Sequence, residues 1–195
     1  RERDRTGTIS LRRFWERRAR RLLPALAVTL VGVLAAARIW FDPRRLPALR
    51  LDALAAAAYV ANWRFARLPL GGYFAPDPSP LRHTWSLGIE EQFYLVWPLL
   101  VLGVLALARR RKVGAAVAIG TLAGLGALAS TVWTIAHADS WSIDRLYLGT
   151  DTRVVAPLLG AVLGGQLARW TTAARPVSSG AQAGLTVAGA AAVVG

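Results

Sequence analysis

Cysteine and methionine are both missing from the 195 residues, and acidic residues are scarce. Without cysteine, the chain cannot form a zinc finger or a disulfide-stapled scaffold. Charged residues make up only 18% of the sequence and hydrophobic residues 54%. A disordered chain is therefore excluded, because disordered chains are poor in apolar residues. Because methionine is absent and no signal peptide is visible, we expect an internal piece of a longer protein.

Because acidic residues are scarce, the net charge is +13. The positions of the basic residues indicate what kind of partner the chain binds. Residues 1–21 hold nine arginines against three acids, and residues 109–112 are all basic. Both clusters border long uncharged stretches, which is typical of cytoplasmic loops in membrane proteins. A nucleic-acid-binding module would be mostly polar, with its basic residues on the face of a packed domain. We therefore predict a lipid bilayer, and no nucleic acid, as a partner.

Five stretches are predicted to cross the bilayer, which makes the fold class an all-α polytopic bundle. A crossing helix needs about 20 mainly apolar residues. Glycines spaced by four, such as Gly120 with Gly124 and Gly160 with Gly164, mark either close helix contacts or merely an Ala/Gly-rich composition. The predicted spans are 22–41, 91–108, 113–136, 154–170 and 177–195.

The positive-inside rule sets the predicted topology in the cytoplasmic membrane. Residues 1–21, 109–112 and 169–176 are predicted to face the cytoplasm, and 42–90 and 137–153 the outside. The stretch 51–65 is short and carries charge near its ends. If it spanned the bilayer, the basic tetrad would lie outside, so we predict that it forms a helical region on the outer surface.

Three arginines before the first span form the first candidate site. Arg17, Arg18 and Arg21 lie three and four residues apart, which predicts one helical face at the inner mouth of the span. Guanidinium groups bind phosphate through paired hydrogen bonds. The motif is therefore either a phosphate-binding patch or a topology anchor that contacts lipid headgroups.

The densest run of functional residue types lies in the second motif, between residues 79 and 97. Ser79 and Pro80 predict the start of a helix that continues into the second span. Glu91 points about 100° away from Glu90, so the two carboxylates need separate partners. Acids at the lip of a span are costly and usually functional, although an interfacial anchor flanked by aromatic residues is the alternative. One helical stripe contains His83, Ser86, Glu90, Tyr94 and Trp97.

The third motif runs from Asp144 to Arg153, and its residues Asp151, Thr152 and Arg153 directly precede the span 154–170. These residues are predicted to cap that helix and to meet the second motif from the outer side. The alternative is simple capping and anchoring, with no functional contact.

Together the three motifs resemble the membrane-bound acyltransferase 3 family, which includes bacterial O-acetyltransferases that modify surface polysaccharides. The resemblance extends over nearly the whole chain. It implies that residues 1–195 are part of a membrane domain of about ten helices, with helices missing at both ends. The matching residues are Phe14, Arg17, Arg18, Arg21 and Pro24, then 79–95 with Trp97 and Pro98, and then 147–153 with 158–161.

The resemblance also implies the chemistry. An acyl group, expected to be acetyl, moves from acyl-CoA at the cytoplasmic face to a hydroxyl of a surface polysaccharide, lipid-linked sugar or similar acceptor. The donor is a substrate, and we predict no metal and no tightly bound cofactor. The family's general-base histidine lies on a helix before this chain. A transporter or lipid flippase without covalent chemistry is the alternative. The implied roles are catalysis for His83, Glu90 and Glu91, donor binding for Arg17, Arg18 and Arg21, and acceptor binding for Trp85, Ser86, Tyr94, Asp151, Thr152 and Arg153.

Overall fold

The computed structural model describes residues 10–68 and 73–173, with side chains as far as residue 167. Regular structure in this part of the chain is helical, without a strand, which confirms the predicted fold class. A short 3-10 helix, Pro43–Arg45, follows the first α-helix. The α-helices are α1 (Leu11–Trp40), α2 (Leu46–Ala57), α3 (Ala61–Ala66), α4 (Thr84–Arg110), α5 (Ala115–Ala136), α6 (Ile143–Leu148), α7 (Thr150–Arg153) and α8 (Val155–Ala173).

Three of these helices, α1, α4 and α5, are long and apolar enough to cross a membrane by length and composition. They cover the predicted spans 22–41, 91–108 and 113–136 except for residues 41, 113 and 114, and they support a membrane protein. The predicted span 154–170 does form a helix, α8, but over its described residues α8 is not one of the three candidates. The predicted span 177–195 lies outside the described residues.

The helix α2 ends in a sharp reversal at Tyr59. The φ angle of Tyr59 is 56°, a left-handed conformation that glycine usually occupies. The N–H of the next residue, Val60, donates to the carbonyl of Ala55 at 2.8 Å, and Tyr59 N–H donates to the carbonyl of Ala56 at 3.0 Å. These two bonds form a Schellman motif, which closes α2 and starts the chain back along α3.

The α2–α3 hairpin packs along α1. Leu49 and Ala53 of α2 share a buried cluster with Ala37 of α1. Further along, Ala56 belongs to a second cluster against which Leu30 of α1 packs. The helical region predicted over 51–65 does form, and it packs against α1. The physical reason is that the alanine-rich face of α2 lets it approach another helix closely, and this packing buries apolar surface.

The helices α5 and α8 form the most extensive helix pair in the described chain, around Ala123, Ala127 and Leu158. Gly126 lies at this contact, because an added Cβ would come 3.0 Å from Leu158. Within the described residues, Gly120, Gly124, Gly160 and Gly164 do not make this contact, since an added Cβ at any of them would meet no atom within 4 Å.

The helix α4 begins at Thr84, later than the Ser79-Pro80 signal predicts. Ser79 instead forms a tight turn, in which its hydroxyl accepts from the N–H of Leu81 at 3.3 Å. Leu81 is buried in the cluster between α1 and α2. Because Leu81 is anchored there, the helix can start only after it, and His83 becomes the residue that precedes the first turn.

Candidate active site

Arg18 of α1 and Glu91 of α4 form an ion pair between the first and second motifs. Two nitrogens of Arg18, Nε and Nη2, lie 2.6 and 2.5 Å from Glu91 Oε1. The guanidinium also stacks on Tyr94, with its central carbon 3.5 Å from the ring centroid. The two charged side chains are only 23% and 16% exposed. The first and second motifs therefore belong to one site, centred on the Arg18–Glu91 pair.

This ion pair corrects the predicted topology. The prediction placed Arg18 at the inner mouth of one span and Glu91 at the outer lip of the next, about 30 Å apart across the hydrocarbon core. The structure places them in contact, because the chain enters α4 beside the Ala37 end of α1, at Leu81, and then runs alongside α1 to reach Arg18. The placement of these two motifs on opposite sides of the bilayer is therefore wrong.

A proline in α4 creates a second link between α1 and α4. Pro98 has no N–H, so it cannot donate to the carbonyl of Tyr94 four residues earlier. The indole Nε1 of Trp15 donates to that carbonyl instead, at 3.0 Å. Because Trp15 lies one turn before Arg18, this bond holds the two helices together beside the Arg18–Glu91 pair.

Sequence patterns did not point to a second polar cluster, which is centred on Gln92. Its amide Nε2 donates to the carbonyl of Tyr59 at 2.8 Å and to Asn62 Oδ1 at 3.0 Å. Its Oε1 accepts from the Thr150 hydroxyl at 2.5 Å and from the Trp63 indole at 3.3 Å. We refer to Gln92, Asn62 and Thr150 as the Gln92 hub. Gln92 and Thr150 lie in the stretches 79–95 and 147–153 that match the family, but neither was a candidate site residue, and the partners of Gln92 are scattered along the chain.

In the third motif, Asp151 pairs with Arg145, a residue that the motif did not single out. Two nitrogens of Arg145 donate to the two carboxylate oxygens at 2.9 and 2.7 Å, and the Trp133 indole donates at 2.8 Å. Burial alone would raise the pKa of Asp151, but these hydrogen bonds outweigh it and lower the pKa below its ordinary value. Asp151 is therefore a carboxylate at neutral pH and joins α5, α6 and α7.

The other residues of the third motif bond to the chain just before them. The Thr152 hydroxyl lies 2.8 Å from the carbonyl oxygen of Leu146. Arg153 Nε donates to the carbonyl of Tyr147 at 2.8 Å, and its guanidinium lies 4.1 Å from that ring.

The predicted cap of the span 154–170 is wrong, because the side chains of Asp151, Thr152 and Arg153 are used in these other contacts. The predicted contact between the third and the second motif does occur, but Thr150 makes it instead of these three residues. Thr150, which starts the helical turn α7, reaches the second motif through its hydrogen bond to Gln92.

The structure divides the predicted polar stripe on α4. His83 and Trp85 join an aromatic cluster, in which Tyr73 lies 6.3 Å from the His83 ring and 6.0 Å from the Trp85 ring. Ser86 donates to the backbone carbonyl of His83 at 3.4 Å. Tyr94 instead stacks on Arg18. The stripe is therefore not one continuous functional line.

Glu90, Arg17 and Arg21 are exposed. The Glu90 side chain is 60% exposed and lies 4.0 Å from Arg18, so Arg18 holds it far less firmly than Glu91. Arg17 and Arg21 form no ion pair with any residue in 10–68 or 73–173. Of the three predicted donor-binding arginines, only Arg18 is committed to a carboxylate.

A cavity of about 450 Å³ opens beside the Arg18–Glu91 pair. Burial, and then the Glu91 carboxylate, raise the pKa of the Tyr59 phenol, so this group is a neutral hydrogen-bond donor at physiological pH. Among the described residues, no three His, Asp or Glu side chains are placed to hold a metal ion. The cavity can accept an apolar group next to a paired guanidinium. Its lining includes Trp15, Arg18, Leu22, Tyr59, Glu91, Gln92 and Tyr94.

Membrane-compatible helices that enclose a half-buried ion pair and a cavity define an integral membrane protein with an internal polar site. The chain belongs to the acyltransferase family, because the family described as "Acyltransferase domain" matches residues 4–195. Family membership confirms the resemblance carried by the three motifs.

The curated relatives are O-acetyltransferases by name. "Peptidoglycan O-acetyltransferase OatA" of Listeria monocytogenes is 40% identical over 162 residues, which cover 82% of this chain and 25% of the relative. "O-acetyltransferase OatA" of Staphylococcus aureus strain NCTC 8325 is 36% identical over 159 residues, with coverage of 82% and 25%. The chain therefore spans about a quarter of the length of these relatives. No solved structure matches the chain.

Proposed function

We propose that the chain forms part of an integral-membrane O-acyltransferase of the cytoplasmic membrane. It would move an acetyl or other acyl group from acyl-CoA to a hydroxyl of a cell-surface polysaccharide such as peptidoglycan. Family membership and the names of the relatives support this chemistry. The observation that carries the proposal is the Arg18–Glu91 pair beside a cavity, since it unites the arginine motif with the acidic motif.

The reaction forms an ester bond as a thioester bond breaks. The acceptor oxygen attacks the carbonyl carbon, a base takes the hydroxyl proton, and the thiol leaves with a proton. The family resemblance implies that this base is a histidine. Arg18 uses two nitrogens on Glu91 and can offer its remaining N–H groups to the donor. Glu91 is then the residue that orients Arg18.

Residues of the three motifs would bind the two substrates. Arg17 and Arg21 are assigned to the phosphates of the donor, because their guanidinium groups are not paired with carboxylates of the described chain. Acceptor binding is assigned to the aromatic cluster and the third motif, by way of His83, Glu90, Trp85, Ser86, Tyr94, Asp151, Thr152 and Arg153. Membership of an acyltransferase family favours this enzyme over a transporter or flippase.

The proposal is tested with the purified full-length protein, radiolabelled acetyl-CoA and a peptidoglycan fragment. We expect label on the fragment as an ester that mild base releases. If cells acetylate their polysaccharide through this protein but the purified protein does not use acyl-CoA, the assignment of the donor is wrong. If no acyl group is transferred in either case, the proposed activity is wrong.

The donor-binding arginines are tested separately. Each of Arg17→Ala and Arg21→Ala should raise the KM for the donor about tenfold, because a charge-assisted bond is worth about 1.5–3 kcal/mol. Arg20→Ala is the matched control, since Arg20 is exposed on the same helix but lies outside the motif. If all three variants have the parent's KM, these residues are membrane anchors.

A further inference from the structure

The amide of Gln92 is fully used inside the protein. A glutamine side chain has two N–H donors and two acceptor lone pairs on its oxygen. All four are matched in the structure, by the Tyr59 carbonyl, Asn62, Thr150 and Trp63. The Tyr59 carbonyl, Asn62 Oδ1 and the Trp63 indole would each lose a partner if the amide turned over, so the side chain of Gln92 has one orientation.

The Gln92 hub connects distant parts of the chain. Asn62 is completely buried, and its amide nitrogen donates to the Leu148 carbonyl at 3.0 Å and to the Thr150 hydroxyl at 2.9 Å. The hub therefore ties α4 to the α2–α3 hairpin and to the junction between α6 and α7. Because a partly satisfied buried network is costly, the whole arrangement is held as a unit.

A glycine one turn before Gln92 removes the remaining freedom of α4. A Cβ at Gly88 would lie 3.0 Å from Asn62 Oδ1 and 3.0 Å from the Tyr59 carbonyl oxygen. The surface of α4 therefore contacts the hairpin directly at Gly88 and through the amide at Gln92. With two successive turns fixed, α4 can neither rotate nor slide against the hairpin.

Glu91 immediately precedes Gln92, so its direction follows from that of Gln92. The directions of successive side chains on a helix differ by about 100°. Because Gln92 faces the hairpin, this step places Glu91 on the face of α4 that contacts Arg18. The hub also holds the hairpin tip, where the Tyr59 phenol interacts electrostatically with both Glu91 and Arg18. The ion pair and the tip thus depend on the same set of hydrogen bonds.

We infer that Gln92, Asn62 and Thr150 are positioning residues of the site: they fix the rotation of α4 so that Glu91 holds Arg18 toward the donor. The inference rests on the proposed function for its effect on catalysis. It assigns a functional task to three residues outside the predicted site. These residues act through Glu91: Gln92 borders the cavity, but its amide is fully bonded inside the protein and leaves no polar group for a substrate.

The experiment is a double-mutant cycle in the full-length protein with Thr150→Val and Glu91→Gln. Valine keeps the shape of threonine but leaves Gln92 Oε1 and the Asn62 amide each one partner short. Thr150→Val alone should lower kcat/KM for the donor about tenfold. In the Glu91→Gln background the same change should lower it less than twofold, because the group that it acts through is already gone.

Thr134→Val is the control, because it removes a threonine hydroxyl that bonds within its own helix, to the Ser130 carbonyl at 2.7 Å, whereas Thr150→Val removes two bonds of the hub. It should change kcat/KM less than twofold. If Thr150→Val causes the same loss in both backgrounds, the hub only supports the fold and the inference is overturned. A Thr150→Val enzyme as active as the parent also overturns it.

Thermal unfolding of the same four proteins in detergent gives a readout that does not depend on activity. The decrease in Tm caused by Glu91→Gln should be clearly smaller in the Thr150→Val background, because the ion pair is already misaligned there. Additive decreases in Tm overturn the inference, since independent sites add. If the parent transfers no acyl group, the proposed function fails, while this measurement still decides whether the hub positions Glu91.

Discussion

Arg18 is the residue at which the arginine motif and the acidic motif meet. Its guanidinium bonds to Glu91 through two nitrogens and stacks on Tyr94. The sequence selected all three residues as candidates but could not pair them, because 73 positions separate Arg18 from Glu91. Helical spacing relates residues within one helix, and it carries no information about which helices lie side by side.

Arg18→Lys tests whether the shape of the guanidinium matters or only its charge. Lysine keeps the positive charge but has neither the planar fork nor the surface that stacks on Tyr94. We expect turnover in the full-length enzyme to fall about tenfold or more, measured as acyl transfer per amount of protein in the membrane. Arg20→Lys, an exposed neighbour, should stay within about twofold of the parent. Equal activities for the two variants would show that charge alone suffices.

At the scale of elements, α1 and α4 are joined at the point where a proline interrupts the backbone hydrogen bonding of α4. Pro98 leaves the Tyr94 carbonyl without its usual donor, and Trp15 replaces that donor from the neighbouring helix. A proline inside a helix is visible in the sequence, and so is the carbonyl that it frees. The identity of the replacement donor is not, because it depends on the packing of two separate helices.

Trp15→Phe removes this donor and keeps an aromatic ring. A buried carbonyl left without a partner costs about 1–3 kcal/mol, so the Tm in detergent should fall. The decrease should be smaller in a Pro98→Ala background, because alanine restores the N–H that bonds to Tyr94 within α4. The same decrease in both backgrounds would mean that packing, and not the hydrogen bond, holds the two helices together.

The pair of Arg145 and Asp151 joins α5, α6 and α7, and its strength should depend on pH. The folded-state pKa of Asp151 is lowered, so the stability that its charge contributes is present above the unfolded pKa and is lost as pH falls through the folded one. The difference in Tm between the parent and Asp151→Asn should therefore be constant from about pH 8 to pH 5. It should shrink below about pH 4, given an ordinary carboxyl pKa of about 3.9.

Thermal unfolding of both proteins across this pH range measures the effect. A difference that already shrinks between pH 7 and pH 6 would contradict the lowered pKa. The sequence placed Asp151 at the start of a helix, where capping is the ordinary role of an aspartate. Arg145 competes successfully for the carboxylate, because two charge-assisted bonds are stronger than one bond to a backbone N–H.

At the scale of the whole molecule, the α2–α3 hairpin decides which motifs are neighbours. It packs along α1, and its tip at Tyr59 lines the same cavity as Arg18 and Glu91. Charge counting placed these residues on opposite sides of the bilayer, since the rule treats each hydrophobic stretch as a crossing or a loop. A helical hairpin that packs against its neighbour belongs to neither category.

Cysteine cross-linking tests this arrangement in the full-length protein, with any cysteine outside this stretch replaced. Ala19 and Leu95 line the same cavity, so Ala19→Cys with Leu95→Cys should be joined by a short thiol-specific cross-linker. Leu107 lies about 18 Å further along α4, so Ala19→Cys with Leu107→Cys should not react. Cross-linking of the second pair but not of the first would show that the two motifs lie apart.

The sequence by itself determined the helical class, the three membrane-compatible helices of the described chain, and the motifs that resemble the family. These follow from composition, from hydrophobic runs and from short motifs, all of which act over a few residues. Tertiary structure decided that Glu91 pairs with Arg18, that Asp151 pairs with Arg145, and that Gln92 joins Asn62 and Thr150. The physical reason is that each of these bonds depends on how separate helices pack, which is settled by the alanine face of α2, the reversal at Tyr59 and the close contact at Gly88.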